Sequence, residues 1–239
     1  MGRLILPAKS ENMNETSSGL LLYHEVALLS IDDETGAFCS GIHKLGVATA
    51  IVVELILRKR LTIVDACKNT VSVSTNSIGI GLLDEALGLL ANCKHKLNTQ
   101  AAIGKIATLP DLSGRVISEL CDRKILRKEK RKVMWVFDKQ VYPTVDGKAE
   151  RAIRSRMAKL IFGQTTSQDR RSTLLVVMAE QLGLLKKNFD PDRLKRNETR
   201  VKKVASGEKF KARASKSAKL AMNDALAAAC LIGKVAAGE

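Results

Sequence analysis

The chain has 239 residues, of which 45% are hydrophobic, 27% are charged and only 3% are aromatic. This composition is typical of a globular protein with a sizeable core, and the shortage of aromatic rings argues against nucleic-acid binding by base stacking. Residues 1–100 hold nine Lys/Arg and ten Asp/Glu, whereas residues 101–239 hold 31 and 15, so the formal charge of +15 comes from the second part of the chain. An anionic partner is therefore expected: nucleic acid, an anionic membrane or an acidic protein.

The cysteines and the apolar runs exclude several other classes. The five cysteines form no C-x-x-C pair, and Cys93 with His95 supplies too few ligands for a metal, so free thiols in a reducing compartment are expected. The start of the chain lacks the arrangement of a signal peptide. The longest apolar run, residues 45–57, contains Glu54 and predicts a core helix, so a cytoplasmic protein is expected.

The predicted elements are mainly helical. Residues 1–17 lack periodicity and are expected to form a flexible tail, followed by a single domain over 18–239. Gly36 follows the first apolar run as a turn residue. Helices are predicted over residues 41–60, 81–93, 111–126, 147–163, 167–189 and 219–237, and β-hairpins over 61–75 and 127–143. Asp111 or Ser113 is the predicted N-cap of its helix, and the fold class is mainly α with a few β-hairpins.

Two of the predicted helices end in cations just before a hairpin. "ELILRKR" begins at Glu54, and the similar "ELCDRKI" begins at Glu119. Cations stabilise the C-terminus of a helix through its dipole and its free carbonyls, so a structural role is predicted for Arg58 and Arg60. The spacing of four residues also predicts an ion pair between Glu54 and Arg58.

No catalytic motif is present, so neither an enzyme nor a cofactor is expected. The helix and hairpin over Asp111–Pro143 fit a winged helix, in which "RKILRKEKRK" would contact phosphates and Arg115 would lie nearest to the bases. The basic residues 186–219 are a second candidate for binding nucleic acid. In the alternative interpretation, "RKEKRK" leads into the apolar "VMWVF" with Trp135, which suits a membrane interface. The same alternation also fits Trp135 and Phe137 facing the core.

Six further segments follow one another in a recognisable order. They are "LLLYHEVALLSIDDETGAF", "GVATAIVVELILRKRLTI", "GLLDEALGLL", "VISELCDRKILRKEK", "FDKQVYP" and "SQDRRSTLLVVMAEQLGLLKKNF". This series, from about Gly19 to the C-terminus, resembles the Golgi phosphoprotein 3 family. The resemblance implies a mainly α-helical peripheral membrane protein on the cytosolic leaflet, of the Golgi if the source is eukaryotic. It also implies binding of phosphatidylinositol 4-phosphate and an adaptor role for the cytosolic tails of membrane proteins.

The lipid-binding residues of that family are not retained. The resemblance places the head group against a Trp, an Arg about nine residues later, and two basic residues at the start of the helix that "DLSGRVISEL" matches. In this sequence these positions fall on Cys39, Ala48, Pro110 and Ser113. Because Cys, Ala and Pro offer no strong donors to a phosphate, the neighbouring Lys44 and Arg115 are the candidate replacements, and Trp135 is the third candidate lipid-binding residue.

The leading interpretation is therefore a non-enzymatic peripheral membrane protein that binds anionic lipid through a basic face. Nucleic-acid binding and a partner-binding scaffold stay open as alternatives. The identity of the lipid, the protein cargo and self-association of the chain are not fixed by the sequence.

Overall fold

The computed structural model describes residues 19–37, 43–65, 68–133, 137–163, 169–206 and 227–229. The named helices are α1 Leu22–Ser30, α2 His43–Leu57, α3 Gly81–Ala91, α4 Thr99–Ile106, α5 Leu112–Asp122, α6 Lys148–Phe162, α7 Arg170–Gln181, α8 Leu184–Asn188, α9 Pro191–Arg196 and α10 Glu198–Ala205. The strands form two antiparallel hairpins, β1 Leu61–Asp65 with β2 Thr70–Val73, and β3 Glu129–Val133 with β4 Phe137–Val141. The prediction of a mainly α fold with β-hairpins is confirmed.

Helix α1 lies at the centre of the core. All nine of its residues are buried, because the sequence LYHEVALLS is apolar around most of the helix. It packs on α2, α5, α6 and α7, and α2 is itself buried along most of its length. A helix that is apolar all round needs neighbours on every side, so the other helices are arranged around this pair.

Two carboxylates inside this core are neutralised by arginines from other turns and helices. Glu25 of α1 and Glu54 of α2 are 0% and 1% exposed, and Arg171 of α7 lies 3.5 Å and 3.1 Å from their Oε2 atoms. Arg156 of α6 lies 2.6 Å from Glu25 Oε1. Arg58 lies 2.9 Å from Glu54 Oε1, which confirms the predicted pair. This buried network joins α1, α2, α6 and α7.

A second polar cluster joins α1 to α5. His24 is fully buried; its Nδ1 accepts a hydrogen bond from Leu21 N–H at 3.1 Å, and its Nε2 lies 2.7 Å from Glu119 Oε2. Because Nδ1 accepts, the neutral tautomer with a proton on Nε2 fits the site and donates to Glu119. The Tyr23 hydroxyl donates to the same carboxylate oxygen at 3.2 Å. Burial lowers the pKa of His24, in spite of the neighbouring carboxylate.

The two cationic helix ends share one geometry. Lys59 after α2 and Lys124 after α5 have φ of +56° and +58°. At the first end, Lys59 N–H donates to Ile56 O and Arg60 N–H donates to Leu55 O, which together form a Schellman motif. The equivalent pair of hydrogen bonds closes α5, and a hairpin follows in both cases. The similarity between the two sequence segments therefore corresponds to the same helix ending.

Some predicted elements differ from the structure. The predicted helix over 167–189 is divided into α7 and α8, because Gly183 adopts φ +70° and ends the first helix. Asp111 occupies the N-cap position of α5, as predicted, but its φ is +44° and its side chain makes no capping hydrogen bond. Ser113, the alternative, lies within the helix.

Other elements were not predicted or lie outside the described residues. The basic stretch from residue 186 contains the helices α9 and α10, and α4 was not predicted either. The predicted tail over 1–17 lies outside the described residues, as does most of the predicted helix over 219–237. The division of the chain at residue 18 stays a prediction.

Candidate anion-binding surface

The β3–β4 hairpin is attached to the rest of the protein mainly at its base. Its strands pair from Glu129 with Val141 to Val133 with Phe137. The two strands contact each other far more than they contact any other element. Residues 134–136, which connect them, lie outside the described part of the chain.

Backbone hydrogen bonds fix the base of this hairpin. Arg127 N–H donates to Pro143 O at 3.1 Å, and Tyr142 N–H donates to Gly36 O at 2.7 Å. Gly36, in the turn after α1, has φ +65°, and a Cβ at this position would lie 3.1 Å from Pro143 N. The turn and the hairpin base therefore pack this closely because residue 36 has no side chain.

The first strand of the hairpin carries an excess of positive charge. Residues 127–132 read RKEKRK, with a single carboxylate. Glu129 lies 2.6 Å from Arg127 Nε and 3.8 Å from Arg131 Nε, and both arginines are exposed, so these pairs contribute little stability. Lys128 and Lys130 are exposed and make no ion pair with a residue that the structure describes. These lysines are available to an anionic partner.

The start of α5 lies near the hairpin base and carries a negative charge. The pKa of Tyr142 is raised by burial and then by the charge of Asp111, which places that carboxylate within electrostatic range of the Tyr142 ring. The Asp111 carboxylate also occupies the space in which a Cβ on Gly114 would lie. Helix N-termini favour anions, but an anionic ligand at this end of α5 would meet the charge of Asp111.

The structure describes two of the three candidate lipid-binding residues, Lys44 and Arg115. Lys44 is exposed in the first turn of α2, and no contact joins it to Arg115 among the described residues. Arg115, in the first turn of α5, makes an ion pair with Glu85 of α3. Glu85 is not predictable as the partner from the sequence, because it lies on another helix 30 residues away and no spacing rule connects the two. Trp135 lies outside the described residues.

The positions that match the family's lipid-binding residues have varied environments. Ala48 is fully buried inside α2, Ser113 is half-buried in α5, and Pro110 is exposed just before α5. Cys39 lies outside the described residues. A phosphate therefore finds no cationic side chain at the described members of this set.

A comparison with protein families matches residues 22–231 to Golgi phosphoprotein 3. The chain belongs to the Golgi phosphoprotein 3 family. The family's function is of a Golgi-associated adaptor and lipid-binding kind, and the family is not one of enzymes. No curated protein matches the chain.

Three further observations describe this family member. In the described ranges, none of the helices combines the length and the apolar character that crossing a membrane requires. The same residues contain no group of three or more His, Cys, Asp or Glu side chains that could hold a metal ion. Cys93 and Cys121 are free and half-buried.

Proposed function

We propose that this member of the Golgi phosphoprotein 3 family is a peripheral membrane protein that binds the anionic cytosolic leaflet through its β3–β4 hairpin. The observation that carries the proposal is the exposed run of cations over residues 127–132, in which Lys128 and Lys130 have no described carboxylate partner. Each Lys or Arg near an anionic leaflet contributes about 1 kcal/mol to binding. The connecting residues 134–136 read Met-Trp-Val, and an apolar connection of this kind suits shallow insertion between head groups.

The lipid in this proposal is phosphatidylinositol 4-phosphate, and the family membership supports that choice. Lys44 and Arg115 are the candidate head-group ligands. Arg115 would have to leave Glu85 or hold both anions, whereas Lys44 is exposed and makes no described ion pair. An adaptor role for the cytosolic tails of membrane proteins accompanies lipid binding in this proposal.

The geometry supports the membrane over duplex DNA as the anionic partner. In a winged helix, the helix before the hairpin enters the major groove. Here α5 packs on α1 and α2, its Glu119 is bound to Tyr23 and His24, and its exposed positions include Asp111, Ser118 and Asp122. Few side chains of this helix are therefore left to contact bases.

Co-sedimentation with vesicles tests the proposal. Neutral vesicles, vesicles with a generic anionic lipid and vesicles with phosphatidylinositol 4-phosphate are compared at two salt concentrations, with duplex DNA as competitor. We expect binding to both anionic types and stronger binding to the phosphoinositide. Neutralising Lys128, Lys130 and Lys132 to Gln should weaken binding by about fivefold per residue.

The control is a triple variant with the same change in net charge at other exposed positions, Lys68→Gln with Lys94→Gln and Lys96→Gln. If both triple variants weaken binding equally, the hairpin has no special role. If Lys44→Ala and Arg115→Ala leave the preference for the phosphoinositide unchanged, neither residue is a head-group ligand. Binding that DNA removes completely at moderate salt would instead indicate a general affinity for polyanions.

A further inference from the structure

The outward face of α6 carries a line of cations that the hairpin does not explain. Residues Lys148, Arg151, Ser155 and Lys159 are all exposed and follow one another at spacings of three and four, so they share one face of the helix. They extend over about 16 Å at 1.5 Å per residue. We call the cations of this face, together with Arg193 described below, the α6 stripe.

The two carboxylates next to the start of the stripe, Glu150 and Asp146, make other contacts. The single acidic residue of α6, Glu150, is 8% exposed and lies 2.7 Å from Arg154, which also contacts Asp33. Asp146, just before the helix, accepts a hydrogen bond from Lys148 N–H at 2.9 Å and so is used at the helix start. Lys148 and Arg151 make no ion pair with a residue that the structure describes.

The stripe continues beyond the end of α6. Phe162, three residues after Lys159, is the last residue of the helix, and the Arg193 guanidinium of α9 lies 4.1 Å above its ring centroid. The Phe162 ring packs edge-on against Phe189. This cation–π contact holds Arg193 in place while its side chain stays exposed, which adds a fourth, oriented cation to the line.

The start of α6 is an unfavourable place for two of these cations. Lys148 and Arg151 lie in the first turn, where the positive end of the helix dipole disfavours cations. The predicted stabilisation of a helix C-terminus by cations does not apply to them, because they lie at the opposite end of a helix. Proteins tend to break such local rules at functional sites, so these two cations are candidates for a functional surface.

We infer that the α6 stripe is a second contact with the anionic leaflet, an inference that rests on the proposed membrane function. The stripe begins shortly after the hairpin, since only residues 142–147 separate the end of β4 at Val141 from the start of α6 at Lys148. Val145, 57% exposed, places an apolar side chain between the hairpin and the stripe. A line of cations complements a flat anionic surface, and an exposed apolar residue beside it complements an apolar interior below that surface. An anionic lipid bilayer has both the charged surface and the apolar interior, so anionic lipid is the partner that we infer.

The test uses the full chain and vesicles of neutral lipid with a generic anionic lipid. The double variant Lys148→Gln with Arg151→Gln should weaken binding by about 25-fold, at about fivefold per cation. The charge-conserving variant Lys148→Arg with Arg151→Lys should bind as the wild type does. The variant Lys94→Gln with Lys96→Gln is the control for net charge, and circular dichroism confirms that each variant is folded.

The outcomes separate this inference from the proposed function. Wild-type affinity in the stripe variant, together with weak binding in the hairpin variant, would overturn the inference and leave the proposed function standing. Equal losses in the stripe and control variants would also overturn it. If the wild type does not bind anionic vesicles at all, the proposed function fails first. Binding of duplex DNA is measured in parallel, and its loss in the stripe variant, with vesicle binding unchanged, would assign the stripe to nucleic acid and reject the leaflet.

Discussion

Glu54 joins three parts of the core through one carboxylate. It accepts a hydrogen bond from Leu22 N–H at 2.9 Å and forms ion pairs with Arg58 and Arg171. Replacing Glu54 by Gln keeps the shape of the side chain but removes the negative charge that balances these arginines. Breaking one side of a buried ion pair typically costs about 3–5 kcal/mol, so we expect a loss of that size in the free energy of unfolding, measured by urea denaturation.

The matched control for this variant is Glu198→Gln on α10. Glu198 lies 2.6 Å from Lys202, but both side chains are exposed, so the pair is well screened by water. We expect the control to unfold at the same urea concentration as the wild type. Equal midpoints for Glu54→Gln and Glu198→Gln would contradict the role that we assign to the buried network.

The pH dependence of stability should carry a contribution from His24. Burial lowers its pKa in the folded state, so below about pH 6.5 the unfolded chain takes up a proton that the folded protein resists. The unfolded state then binds more protons, and stability falls as the pH decreases from 7.5 to 5.5. The wild type should lose more stability over this range than His24→Gln, as measured by urea denaturation at each pH.

The difference between the two proteins isolates His24. The raised pKa of Glu25 contributes a slope of opposite sign, but it is present in both proteins and cancels in the difference. His95→Gln, at an exposed position, is the control and should follow the wild type. Parallel profiles for the wild type and His24→Gln would show that His24 does not resist protonation.

At the scale of elements, Gly36 decides how the β3–β4 hairpin is attached. In Gly36→Ala, the alanine has to adopt the left-handed backbone conformation of Gly36, which is unfavourable for a residue with a side chain. Its Cβ would also lie close to Pro143 N. Gly79 also has a positive φ but has nothing within 4 Å of a Cβ, so Gly79→Ala measures the backbone cost alone, about 1–2 kcal/mol. We expect Gly36→Ala to lose more stability than Gly79→Ala and to speed hydrogen exchange of the Tyr142 amide.

Both readouts are needed to interpret that comparison. A larger loss of stability without faster exchange at Tyr142 would place the strain in the turn and not in the hairpin base. Equal losses of stability in the two variants would mean that Pro143 moves away from the new Cβ at no cost. The close packing of Gly36 on Pro143 would then not contribute to stability.

The elements differ in how far local sequence could predict them. Both hairpins were predictable because their alternation and turn residues are local signals, and the two cationic helix ends share a motif within seven residues. The break at Gly183 lies in a continuous apolar pattern, where a glycine is either tolerated inside the helix or ends it. Only the packing of α7 and α8 against other helices selects the break.

The candidate site was less predictable than the fold, because its ion pairs depend on packing between helices that are distant in the chain. The run RKEKRK is visible in the sequence, so the basic hairpin could be identified as a surface. The pairing of Arg115 with Glu85, and that of Arg156 with Glu25, joins helices far apart in the chain. Such contacts depend on tertiary packing. The local sequence indicates them only where a charged residue, such as Glu25, lies inside an apolar run and therefore needs a buried partner.

At the scale of the whole molecule, the proposed binding combines electrostatic attraction with insertion of an apolar side chain, and the two differ in their dependence on salt. The cations lie in the second part of the chain, and their attraction to lipid is screened as the Debye length shortens from about 10 Å at 0.1 M to about 3 Å at 1 M salt. Insertion of Trp135 would not be screened. Vesicle binding of the wild type should therefore fall steeply with salt and keep a small remainder at 1 M.

Trp135 variants decide what that remainder is. Trp135→Ala should abolish the binding that persists at 1 M salt, while Trp135→Phe keeps part of it because an aromatic ring is retained. At 0.1 M salt, where the cations dominate, both variants should bind nearly as well as the wild type. If wild-type binding vanishes at 1 M, or if Trp135→Ala keeps the remainder, the ring does not enter the leaflet, and the hairpin would then act through its lysines alone.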